Sequence, residues 1–230
     1  MSVHRLRWVL SRHGTKAGRA PGRRAAVLAA AAVAGGGMWL AVPAASAASP
    51  DCGPTCINLF NLKFGSADVM AVSGGTEAVG QAVILSAAAP STTEDWKVSF
   101  EGVVSDLAAA GIINPTLGEH YGSDAAFEFE YAPGGIDSGL CLGIGSGPSQ
   151  STPVTLQPCG ASANTVWIED TADASGVGAV LVSGSGTKYP APYVLTANTV
   201  GGNFTTQALK TNPGAGAGAQ RWEASFGVLP

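Results

Sequence analysis

Three tryptophans set the frame of this chain. Val83, Val154 and Leu209 each open a short run, and Trp96, Trp167 and Trp222 each follow thirteen residues later. Twelve to fourteen residues upstream of those runs stand three more apolar pairs, Met70/Val72, Leu142/Ile144 and Leu195/Ala197. The recurring unit is therefore strand, loop, strand, loop, and a strand that carries an indole. No such unit can cover its own apolar face, so three of them must pack about one axis. Each indole then adds a large apolar area to a shared core. The units are expected over about 58–100, 127–170 and 180–226, with Trp96, Trp167 and Trp222 as structural core. Trp96 and Trp167 are 71 residues apart against 55 for the next pair, so the early linker carries an insertion.

The texture between these landmarks is Gly, Ala, Ser, Thr and Val, with turn residues every eight to twelve positions. Short apolar or alternating runs such as Val83–Leu85, Phe127–Tyr131, Val154–Leu156 and Val180–Val182 read as strands. In Phe127–Tyr131 aromatics alternate with Glu128 and Glu130, which predicts one buried face and one face in water. One helix is expected, over Asp106–Ile113, capped by Ser105 and ended by Asn114-Pro115. So little helix among so many turns makes the chain all-β, either a sandwich or a closed barrel. The run Gly214–Ala219 reads as a loop of low complexity.

Charge divides the chain at its front. Residues 1–47 hold seven Lys/Arg and no carboxylate, whereas the remaining 183 hold five Lys/Arg against sixteen Asp/Glu, a formal charge of −11. The basic stretch leads into an apolar run, Ala25–Val42, and Ala45-Ser46-Ala47 offers small residues to a signal peptidase. That order marks 1–47 as a secretory signal cleaved near Ala47, with a single domain over 48–230 that is secreted. The Arg23-Arg24 pair leaves the twin-arginine route open beside the general one. The apolar run is mostly Ala with Gly35–Gly37 inside it, so no stable membrane insertion is expected after cleavage.

All four cysteines, Cys52, Cys56, Cys141 and Cys159, follow that boundary, and an even count in an exported chain points to disulfides. Three pairings are possible, and local spacing favours Cys52–Cys56 with Cys141–Cys159. No metal site is expected, because His120 is the one histidine beyond residue 47. A charge of −11 argues against nucleic acid as a partner. No cofactor motif is present.

The repeat resembles that of the ricin-type β-trefoil lectins: Cys-Leu, a spacer, apolar-x-apolar-x-x-Cys, then Gln-x-Trp. The middle unit matches best, with Cys141-Leu142 and Val154–Cys159 ahead of Trp167. The third keeps Gln220-Arg221-Trp222; the first ends in Glu94-Asp95-Trp96, with Val69 and Ala88 at the cysteine positions. The likeness spans about 58–226. It implies an all-β fold, a β-trefoil of three pseudo-repeats with one short helix in an insertion. It also implies a secreted binding module whose partner is a carbohydrate or an extracellular protein.

In those lectins an acidic residue after the Cys-Leu pair binds two sugar hydroxyls, a polar residue before the apolar strand assists, and an aromatic ring stacks on the sugar. The corresponding acidic positions here hold Ala71, Gly143 and Thr196, none of them a carboxylate. The assisting positions hold Gln81, Thr152 and Gln207, and only the third unit has a loop aromatic, Phe204. The resemblance thus places a carbohydrate site at Thr196, Asn198, Asn203, Phe204 and Gln207.

Catalysis is not the expectation. His120, Ser123 and Asp124 lie too close in sequence to form a triad. The pairs Glu94/Asp95, Glu128/Glu130 and Glu169/Asp170 offer a glycosidase its two carboxylates, and none stands out. An extracellular hydrolase or a protease inhibitor on the same scaffold is the alternative reading.

Overall fold

The computed structural model describes residues 56–89, 91–170, 178–186, 192–198, 201, 205–208 and 218–226, which fall in the compact unit Ala45–Pro230. The expected signal over 1–47, Cys52, Asn203, Phe204, Leu209 and the Gly214 stretch up to residue 217 lie outside the described residues.

Among the described residues twelve strands form, in three sets of four. The first set is β1 Ile57–Asn61, β2 Asp68–Val72, β3 Val83–Ala87 and β4 Trp96–Val103. The second is β5 Ala125–Tyr131, β6 Leu140–Ile144, β7 Thr152–Pro158 and β8 Trp167–Asp170. The third is β9 Ala179–Ser183, β10 Tyr193–Thr196, β11 Thr205–Ala208 and β12 Arg221–Phe226. The outer strands of each set join into a ring, β1–β4–β5–β8–β9–β12 and back to β1, antiparallel throughout. Closure leaves none of these six strands with an unpaired edge. The inner strands make three hairpins, β2–β3, β6–β7 and β10–β11.

The register repeats with the sets. Trp96 stands opposite Ile57, Trp167 opposite Phe127 and Trp222 opposite Ala179. Each hairpin meets its barrel strand at one matching pair: Phe60–Val69, Glu130–Cys141 and Val182–Val194. All three indoles are buried in one apolar cluster with Leu59, Phe129 and Leu181. Their ring N–H groups all find the same kind of partner. Trp96 Nε1 donates to Met70 O at 3.0 Å, Trp167 Nε1 to Leu142 O at 2.9 Å and Trp222 Nε1 to Leu195 O at 3.1 Å. The three carbonyls occupy equivalent positions on β2, β6 and β10.

Two expectations need correction. The third strand run does not begin at Leu209. Pairing with β10 places β11 at Thr205–Ala208, with Thr206 opposite Leu195. From the residue opposite that carbonyl to the indole is 11 residues in the first two units, Leu85 to Trp96 and Leu156 to Trp167, but 16 from Thr206 to Trp222. Cross-strand pairing with β10, not a fixed count back from the indole, sets the register. The glutamate face of β5 is also not all in water. Glu128 is 4% exposed, because a later turn folds over it.

The insertion between β4 and β5 holds two helices, α1 Val104–Ala109 and α2 Pro115–Tyr121. The helix expected over Asp106–Ile113 is shorter and shifted: it stops at Ala109, and Val103, not Ser105, stands at its N-cap, with no side-chain cap. Asn114-Pro115 starts the second helix rather than ending the first: Asn114 Oδ1 accepts from Thr116 N at 2.9 Å, and proline sits at the first turn. Leu107, Ile113, Leu117 and Tyr121 form a second apolar cluster with Val166, Ile168, Val182 and Val194. The insertion thus covers the outer face of the barrel along β8 and β9. No described helix is long and apolar enough to cross a membrane.

Replacing any one of Trp96, Trp167 or Trp222 by Phe strands a buried carbonyl and leaves a small void. The expected loss is about 2–4 kcal/mol at each position, of similar size at all three. Urea unfolding of the three variants checks this, and a neutral result at one of them would mean that its unit does not share the common environment.

Candidate functional site

Polar side chains that the sequence offers as catalytic or binding candidates fall into four places. The first surrounds Glu128 on β5. Its carboxylate accepts from Ala161 N at 2.8 Å, from Gly160 N at 3.3 Å and from the Thr165 hydroxyl. Cys141 and Cys159 form a disulfide beside it, and Cys141 Sγ lies 3.9 Å from Glu128 Oε2. The turn that follows Cys159 is therefore held twice, covalently at Cys159 and by Glu128 at the next two residues. Glu128 and the two sulfurs lie within 4.8 Å of one another, but the sulfurs are spent on their mutual bond. Glu130 instead accepts from Gly139 N at 2.8 Å. Cys56 is disulfide-bonded, and its expected partner Cys52 lies outside the described residues.

The second place is the Glu94/Asp95 pair, both buried. Glu94 accepts from Ala89 N at 3.1 Å, and Asp95 Oδ2 from Gly134 N at 2.9 Å. These carboxylates satisfy loop amides. Tyr131 packs on Trp96 with ring centroids 5.7 Å apart. Burial, then Glu77 and Asp95, push its hydroxyl up to about 12.

The third place was not legible as a unit. Asp124 stands just before β5, and the fold brings it to Glu169 and Asp170 of β8, some 45 residues later. Trp167 points into the barrel, so Glu169, two residues on, shares its face. The equivalent positions in the other units are Val98 and Ala224, both packed against the core. Burial and then the Asp124 charge push the Glu169 carboxyl up to about 7. Burial and then Asp170 raise Asp124, while a hydrogen bond from Ser123 acts the other way. His120, on α2, is exposed.

The fourth place comprises the hairpin positions taken from the lectin resemblance. Ala71 is buried. A Cβ on Gly143 would lie 2.8 Å from Asn164 O, 3.0 Å from Thr165 Cγ2 and 3.1 Å from Gln157 Cγ. Thr196 is 5% exposed; its hydroxyl donates to Val194 O at 3.1 Å and accepts from Gln220 Nε2 at 3.4 Å. Gln81 Nε2 donates to Ser73 O at 2.6 Å, and Thr152 Oγ1 accepts from Ser149 N at 2.7 Å. Gln207 is not the counterpart of these two: it stands opposite Val194, where the other units place Ser86 opposite Val69 and Gln157 opposite Cys141. Asn198 is exposed, next to the β10–β11 turn, and Gly201 N in that turn donates to Leu85 O at 2.6 Å.

No protein-family model matches the chain, and no curated protein matches it in sequence. Solved structures do match it. A designed 3-fold symmetric protein, ThreeFoil, superposes with a TM-score of 0.52 at 13% identity over 74% of this chain and 97% of its own. The Rhizoctonia solani agglutinin gives 0.50 at 14% identity, over 75% and 96%. The fold is a β-trefoil. A mosquitocidal holotoxin matches with a TM-score of 0.53 at 12% identity, over 75% of this chain, which spans 17% of the toxin's length. At these identities the likeness is one of fold.

Within the trefoil, the middle unit has no room for a carboxylate at the lectin position. Gly143→Asp drives a side chain against the Asn164 carbonyl, so it is expected to cost about 2 kcal/mol or more, with no gain of sugar binding. Removing the carboxylate in Glu128→Ala leaves two turn amides without an acceptor and is expected to cost roughly 2–4 kcal/mol. Thermal melts of both variants read these losses; a neutral Glu128→Ala would show that the disulfide alone holds the turn.

Proposed function

We propose that this chain is an exported carbohydrate-binding module, its first 47 residues serving as a cleaved signal and its third unit supplying the sugar contact. What carries the reading is the division of labour in the trefoil. Pinned indoles and a closed barrel supply rigidity, so the hairpin ends are free to vary in sequence. The agglutinin similarity supports it to the extent that a shared fold can.

Among the three hairpins, β10–β11 fits best. The lectin positions of the first two units are buried at Ala71 and closed at Gly143. The third brings Thr196 opposite Thr205 and Val194 opposite Gln207. Asn198, Asn203 and Phe204 stand in the segment between those strands. Asn198 and Asn203 offer amides for the polar edge of a sugar and Phe204 a ring for its apolar face, while Thr196 is buried behind them with its hydroxyl bonded within the protein. The set carries no carboxylate, so affinity rests on neutral hydrogen bonds and stacking.

The test is a glycan array with the secreted protein, followed by titration of any ligand found. Phe204→Ala and Asn203→Ala are expected to weaken binding about tenfold or more, the loss of roughly 1.4 kcal/mol. A protein that recognises no glycan, or one whose binding ignores both changes, would remove the proposal. Amino-terminal sequencing of the secreted form checks the cleavage near Ala47.

A further inference from the structure

The Cys141–Cys159 disulfide stands against a buried carboxylate, Glu128, with which no cation among the described residues pairs. We propose that Glu128 shields this bond from thiol exchange, so that the turn it anchors stays closed where small thiols are present. The proposal does not depend on the sugar-binding reading.

Burial and charge each oppose one route to the bond. Exchange begins when a thiolate attacks one sulfur and expels the other. Cys141 is 1% exposed, which keeps an incoming thiolate from its sulfur. Cys159 is half-buried, so its sulfur is the one open to attack. Attack there joins the reagent's sulfur to Cys159 Sγ, breaks the disulfide and sends the electron pair to Cys141 Sγ. That leaving thiolate forms out of water, 3.9 Å from Glu128 Oε2. Two negative charges then meet in a buried place, which raises the barrier. The attacking thiolate meets the same charge, because a Glu128 oxygen and both sulfurs lie within 4.8 Å of one another.

Nothing nearby offsets that charge. The donors to Glu128 are Gly160 N, Ala161 N and the Thr165 hydroxyl, all of them neutral. Glu130 stands opposite Cys141 on β5 and accepts from Gly139 N. Lys97, opposite Glu130 on β4, is bonded to Gly135 O and Asp137 and not to the sulfurs.

The shielded bond holds a turn under strain. Ala161 has a φ of 46°, in the left-handed region that few side chains occupy. It packs against the apolar cluster that the helical insertion shares with β8 and β9. A disulfide slow to exchange therefore keeps that cluster covered.

Reduction of the folded protein by two thiols of opposite charge, cysteamine and mercaptoethanesulfonate, tests the shield. Alkylation and peptide mass mapping follow Cys141 and Cys159 at one pH, in about 0.15 M salt to screen distant charges. Each rate is divided by the same thiol's rate with a neutral model disulfide. In the unaltered protein the cationic thiol is expected to be about tenfold the faster. Glu128→Gln keeps the side chain's size and an acceptor oxygen for the turn. It is expected to speed both reactions and to narrow their ratio to about twofold. Thr165→Val loosens the same turn but keeps the carboxylate, so it leaves the ratio as it was. Equal normalised rates in the unaltered protein overturn the proposal without any variant. So does a Glu128→Gln protein reduced no faster, or one sped equally by both thiols, the pattern of a turn that has merely opened. A ratio that collapses as far in Thr165→Val overturns it too.

Discussion

An indole buried in an apolar barrel brings with it one N–H group that water can no longer reach. Leaving such a donor without an acceptor costs on the order of 1–3 kcal/mol. Here the donor finds a main-chain carbonyl on the first strand of its own unit's hairpin, 25 to 27 residues back in the chain. One hydrogen bond therefore does two things. It lets the ring fill the barrel centre, and it ties the hairpin to the barrel strand. Because the bond recurs at Met70, Leu142 and Leu195, the three units are held to one geometry despite little identity between their sequences.

Symmetry is broken where local demands differ. At one register position on the outer face of β1, β5 and β9 the units place Asn58, Glu128 and Val180. Val180 belongs to the apolar cluster that the insertion covers, and Glu128 gathers the amides of the turn after Cys159. The inward row below the indoles holds Val98, Glu169 and Ala224, so a single carboxyl interrupts an otherwise apolar ring. Both departures lie beside the helical insertion or the disulfide. They mark the middle unit as the one adapted to extra structure.

Much of this was legible early. The spacing of Trp96, Trp167 and Trp222 called for three units and a common core, and strand alternation placed Phe127, Phe129 and Tyr131 inside. The Cys141–Cys159 pair followed from local spacing and the repeat. Less was legible at the candidate site. Counting back from Trp222 put the third strand at Leu209, because a count assumes loops of constant length. Alternation alone put Glu128 in water, because it cannot see a turn that folds over a strand from more than 30 residues away.

By itself the sequence determined the number of units, the identity of the core aromatics and the position of the insertion. Those are consequences of apolar spacing, which any compact chain must honour to remove its large side chains from water. Tertiary structure alone decided the register of β11, the burial of Glu128 and the meeting of Asp124 with Glu169 and Asp170. Each of these depends on which hydrogen bonds and charges become neighbours after closure of the barrel, and no local pattern in the chain records that.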